Sequence, residues 1–135
     1  MPNVIIAGGR RFNTPEARTI LHDRCDKLLA LIGGEWVVLC GMARGADLLG
    51  YNWAMDRGLR VKEYPADWDQ YGKVAGFRRN IEMARDAQLL IAFWDGQSRG
   101  TAHMIDRATE YGVETFITHY TEAQINPGVI ARRLS

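Results

Sequence analysis

Cysteine is nearly absent from this chain: Cys25 and Cys40 are the only two among 135 residues. Neither stands at zinc-like spacing, and His22, three residues before Cys25 on the same expected helix, reads as a structural neighbour rather than a ligand. No metal and no cofactor is expected, and a reducing, intracellular setting fits. Long apolar runs are also missing; none approaches the roughly 18 residues that a membrane span requires. Met1-Pro2-Asn3 leads straight into a strand-like segment without a basic n-region, so no secretory leader is expected. The expectation is a soluble, cytoplasmic protein with no membrane partner. An excess of one charge is lacking too, because 17 Lys+Arg against 16 Asp+Glu leave a formal net charge of +1. Broad, sequence-blind nucleic-acid binding usually needs a clearly basic face, so nucleic acid is the least favoured partner. Arginines gathered at one pocket stay allowed.

What the chain does have is punctuation. Its length suits one domain over residues 1–135, with a core at about 3–119 and a less decided tail at 120–135. Val4 to Ala7 is a short apolar run ended by two glycines and reads as a strand buried on both faces. Thr14-Pro15-Glu16 starts a helix, carried by Ile20, Leu21, Leu28, Leu29 and Ile32 and stopped at Gly33-Gly34. Trp36 to Cys40 is a second strand. A second helix spans Ala46 to Arg57, with Leu48, Leu49, Trp53 and Ala54 on one side and Gly58 as its stop. Arg60 to Tyr64 is a third strand closed by Pro65. Pro65 to Ala75 shows no period and carries Trp68, Tyr71, Gly72 and Lys73, as a functional loop or as a connector held down by its aromatics. Phe77 to Asp86 and Thr101 to Tyr111 read as helices, and Gln88 to Trp94 and Val113 to Thr118 as strands.

Strands alternating with helices predict a Rossmann-like α/β domain: a parallel five-stranded sheet in the order 3-2-1-4-5, with helices on both faces. In that order the sheet reverses between the first and fourth strands. Ligands of such sheets bind outside the carboxyl ends of the strands at that point.

Three glycine-bearing turns fall there, each after a strand and before a helix: Gly8-Gly9-Arg10-Arg11, Gly41-Met42-Ala43-Arg44-Gly45-Ala46-Asp47, and Asp95-Gly96-Gln97-Ser98-Arg99-Gly100-Thr101. Free amides at a helix start, aligned with its dipole, attract anions. Arginine matches phosphate bidentately, which marks Arg10, Arg44 and Arg79, with Lys73 and Asn80 beside them. Arg11 and Arg78 read better as solvated surface. Ser98 and Thr101 offer hydroxyls, and Gly100 allows close approach. Asp47 either accepts from a ribose hydroxyl or merely favours the start of its helix. Asp47, Asp95 and His103 are the weak acid–base candidates. Trp94 and Phe12 either stack on a base or pack in the core. No Gly-Lys-Ser/Thr follows the glycines and no G-x-G-x-x-G is present, which disfavours Walker-type ATP hydrolysis and NAD-dependent hydride transfer.

Five ordered motifs resemble the YspA/YpsA-related branch of the SLOG superfamily: Gly8 to Phe12, Gly41 to Asp47, Tyr64 to Trp68, Gly72 to Asn80, and Gly100 to Met104. The superfamily includes DprA-like single-stranded-DNA binders and the LOG phosphoribohydrolases. The resemblance implies recognition of a nucleotide or a nucleotide-derived ligand such as an ADP-ribose relative. LOG enzymes carry a Pro-Gly-Gly-x-Gly-Thr-x-x-Glu signature whose glutamate serves glycosidic cleavage; here Met104 stands in its place, while Arg79 matches the LOG arginine. A thioether cannot move a proton. The expected function is therefore a sensor or sequestering module for a phosphorylated nucleotide-like small molecule. The alternatives are a nucleotide N-glycosidase or phosphoribohydrolase, and single-stranded nucleic-acid binding. A homo-oligomer, a dimer or higher, is expected through aromatic surface at Tyr51 and Trp53.

Overall fold

The computed structural model describes residues 1–128, and the rest of the 120–135 tail lies outside the described residues. Five strands form one parallel sheet in the order β3-β2-β1-β4-β5: β1 Asn3–Gly8, β2 Val37–Cys40, β3 Arg60–Glu63, β4 Leu89–Trp94 and β5 Glu114–His119. This is the α/β sheet expected from the alternation. Parallel pairing demands a crossover between successive strands, and helices supply each one. On one face lie α1 (Pro15–Ile32), α2 (Ala46–Asp56) and α6 (Glu122–Ile125); on the other lie α4 (Ala75–Asp86) and α5 (Arg99–Glu110). Alternate residues of the inner strands feed the two cores. Val4 and Ile6 pack toward α1 and α2, whereas Ile5 and Ala7 pack toward α4 and α5.

Local chemistry accounts for the helix ends. Thr14 caps α1 by accepting from the Ala17 amide at 3.1 Å, with Pro15 at the first turn. Asp67 caps a short helix, α3 (Trp68–Tyr71), by accepting from the Gln70 amide at 3.1 Å. A single 3₁₀ turn at Gly72–Val74 then joins it to α4. The segment that showed no period is thus two tight turns, each too short to display one. It delivers the chain into α4 at Ala75, two residues earlier than Phe77. Likewise α5 begins at Arg99 rather than Thr101, and β1 continues through Gly8, which pairs with Phe93.

Packing corrects two readings of side chains and decides a third that was open. Trp53 is not surface: it is 2% exposed, and its indole N–H donates to Asp26 Oδ1 at 2.9 Å. Leu48, placed on the same side as Trp53 by spacing alone, is exposed. Phe12 is fully buried, stacked on Phe93 at 5.0 Å and against Tyr120 at 4.6 Å, so it belongs to the core and cannot face a ligand. No helix among the described residues is long and apolar enough to cross a membrane.

Candidate functional site

The chain leaves β1 toward the α1 face and leaves β4 toward the α5 face, so the two exits diverge and open a crevice at the carboxyl ends of the strands. A hollow of about 440 Å³ fills that crevice. This lies in the usual range for small-molecule sites, roughly 300–1,000 Å³.

Gly8, Gly9, Arg10 and Arg11 form one wall, with Ala43 and Asp47 from the β2 exit beside them. Across from the β4 exit come Asp95, Ser98, Gly100, Thr101 and Met104. Trp68, Lys73, Gly76, Phe77, Arg79 and Asn80 close the side toward α3 and α4, and Tyr120 and Met83 complete the lining. The crevice therefore brings together residues from five separate segments.

Arg79 is the organising cation. Its Nη1 donates to the Gly41 carbonyl and its Nε to Asn80 Oδ1 at 3.1 Å, which leaves Nη2 without a hydrogen-bond partner among the described residues. Asn80, itself buried, spans to α5: its Nδ2 lies 3.4 Å from the Gly100 carbonyl and 3.3 Å from His103 Nδ1. These bonds hold the guanidinium in one place before any ligand arrives. Asp47 is 8% exposed and accepts from the Ala43 amide through Oδ2 at 3.4 Å. Burial pushes its carboxyl up to about 6, against the pull of Arg79, of the Ala43 amide and of Arg10.

At the start of α5, Ser98 Oγ and Thr101 Oγ1 stand 3.1 Å apart, and Asp95 Oδ1 accepts from the Gln97 and Ser98 amides at 2.8 Å each. Asp95 thus shapes the turn. Tyr120 sets its hydroxyl over Gly9, and burial, reinforced by Asp95, pushes its phenol up to about 12.

Six candidate residues stand behind the wall or outside it. A Cβ on Gly41 would meet Asp47 Oδ2 at 2.6 Å and Arg79 Nη1 at 2.8 Å, so its smallness makes room for the protein's own side chains rather than for a ligand. Gly45 and Ala46 are packed against the first turn; the Ala46 amide donates to the Gly9 carbonyl at 3.2 Å and is not free for an anion. Arg44 points into a neighbouring hollow. His103 is displaced by its position on α5, packing on Phe77 at 4.3 Å, and burial, ahead of Arg107, lowers its pKa. Trp94 donates to the Ser98 carbonyl at 3.1 Å and is absent from the lining.

Sequence reasoning missed Phe77, Met83, Gly76 and Tyr120. Arg11 is exposed, as read from the sequence, and from the surface it rims the hollow and pairs with Glu122 at 3.4 Å. The signal for Phe77 was its place two residues before Arg79, on the helix that carries it. Tyr120 carried no signal, because it lies beyond the last strand.

The model of the YspA, cpYpsA-related SLOG family matches residues 2–71. The Gene 61 protein of Mycobacterium phage D29 is 37% identical over 119 residues, which cover 84% of this chain and 93% of that protein. Among solved structures, DNA processing protein A (DprA) from Streptococcus pneumoniae matches with a TM-score of 0.70 at 17% identity, a likeness of fold. That match covers 99% of this chain, which spans 56% of the DprA chain.

Proposed function

The chain belongs to the YspA, cpYpsA-related SLOG family, and we propose that it binds a nucleotide or nucleotide-derived phosphate ligand in the crevice, as a sensor or sequestering module. One observation carries this reading. Trp68 Cη2 and Arg79 Nη2 both lie beside Gly76, at 3.5 and 3.7 Å from the position a Cβ would take. An aromatic ring and a pre-held guanidinium thus meet beside one small residue, which suits a ligand with a flat base and an anionic group. In this reading Arg10, Lys73 and Arg79 neutralise the phosphate, Ser98 and Thr101 donate hydroxyls to it, and Asp47 accepts from the ribose.

The enzymatic alternative has less support. Met104, buried in the wall, brings no acid–base group, and Asp95 already spends one oxygen on two amides. Calorimetry with AMP, ADP-ribose, cyclic ADP-ribose and NAD tests the reading. At least one gives measurable heat, and Arg79→Gln weakens it about 30-fold or more, as expected for loss of a charge-assisted contact. Silence from every phosphorylated nucleotide sinks the proposal. Free base in the same mixtures, lost in Asp95→Asn or Asp47→Asn, would replace it with the phosphoribohydrolase reading. Steeply salt-dependent affinity for short oligonucleotides, without affinity for mononucleotides, would move it to single-stranded nucleic acid.

A homodimer is part of the same proposal. With Trp53 internal, the outward apolar residues of α2 are Leu48 and Met55. Light scattering is expected to give twice the chain mass, and a strict monomer removes the dimer.

A further inference from the structure

Beside the crevice lies a second hollow of about 330 Å³, and its charge is unbalanced. Arg10, Arg11 and Arg44 line it together with a single carboxylate, Glu122. Arg10 and Arg44 have no hydrogen-bond or ion-pair partner among the described residues, and Arg11 pairs only with Glu122, at 3.4 Å between exposed groups. Three guanidinium groups around one concavity repel one another, and an anion between them relieves that repulsion.

The backbone holds the cluster together. Gly45, at φ +91°, lets the β2 exit lie directly on the β1 exit, with the Gly45 Cβ position only 2.6 Å from Arg10 Cα. The Ala46 amide then ties the two turns by donating to the Gly9 carbonyl at 3.2 Å. Arg44 is therefore kept beside Arg10 by main-chain contacts, independent of any rotamer. Arg10 and Arg11 line both hollows and form the ridge between them.

Building on the nucleotide reading above, we propose that this second hollow is a phosphate subsite, so that the ligand is a nucleoside bearing more than one phosphate group, one group in the crevice and a further one across the Arg10–Arg11 ridge against Arg44. The extra phosphate comes either from an oligophosphate chain on one nucleoside or from the link to a second nucleotide.

Calorimetry compares AMP, ATP and the dinucleotide pApA on the wild-type protein, on Arg44→Gln and on Arg79→Gln. Arg44 is exposed, so its replacement leaves the fold intact. The expected result is that ATP or pApA binds at least about tenfold more tightly than AMP. Arg44→Gln abolishes that gain and leaves AMP within about twofold of wild type. A gain confined to ATP identifies the oligophosphate chain, and one confined to pApA identifies linked nucleotides. Equal affinities for all three ligands, or a gain that survives in Arg44→Gln, overturns the subsite while the single-phosphate reading stands. Inorganic pyrophosphate separates the remaining case. If no nucleotide binds, the crevice reading and the subsite proposal fall together, and an Arg44-dependent pyrophosphate signal then marks an anion site unrelated to nucleotides.

Discussion

Gly45→Ala is expected to destabilise the protein by about 2–6 kcal/mol. Two separate penalties combine. At φ +91° and ψ −134°, the residue occupies backbone space that is nearly closed to side chains, which costs roughly 1–3 kcal/mol. The new Cβ would also press on the Gly9 carbonyl oxygen and lie 2.6 Å from Arg10 Cα and 2.7 Å from Arg10 C, all main-chain atoms that cannot rotate away. Forcing the turns apart adds about 1–3 kcal/mol. Gly96→Ala is the control. Its φ is +84° but nothing lies within 4 Å of its Cβ position, so only backbone strain of about 1 kcal/mol applies. Urea unfolding measures both, and a Gly45→Ala midpoint no lower than that of Gly96→Ala refutes the account.

Asp47 gives the second large effect, and it depends on pH. Its carboxyl titrates near 6 in the folded protein against 3.8 in a model peptide, burial being the main cause. Between those values the folded chain holds the proton more firmly than the unfolded chain. Stability from this group is therefore complete below about pH 3.8 and is lost as pH rises through 6, about 3 kcal/mol in all. Asp47→Asn carries no such charge. It is expected to be about 2–3 kcal/mol more stable than wild type at pH 7 and to converge with it below about pH 4. Denaturation curves at pH 4, 5, 6 and 7 check this; parallel loss in both proteins would show that Asp47 is not the titrating group. A carboxylate kept at such cost in a crevice is the pattern of a group retained for ligand contact. If the proposed nucleotide site is right, the same variant binds its ligand more weakly while folding more firmly.

Much of the architecture was legible before any coordinates. Short apolar runs ending in glycine, with capped helices between them, leave few topologies once crossovers must be right-handed. Strand order and the location of the crevice follow from that restriction. Residues seated on or capping regular elements near the exits, such as Arg79, Asn80, Ser98 and Thr101, were placed for the same reason. Arg44, His103, Phe12 and Trp53 were not. Each sits where a rotation of one residue position decides between solvent, core and crevice, and no periodic pattern extends far enough to fix that rotation. The segment from Pro65 to Ala75 hid its two turns because one helical turn shows no repeat.

By itself, then, the amino-acid order determined the sheet, its sequence of strands and the end at which a ligand would sit, because hydrophobic period and turn chemistry act over neighbouring residues. Tertiary structure alone decided which guanidinium enters which hollow, why Gly41 and Gly45 must lack a side chain, and how far the Asp47 carboxyl is lifted. Those outcomes depend on main chains from distant segments approaching within a few ångströms, and local sequence carries no record of that distance.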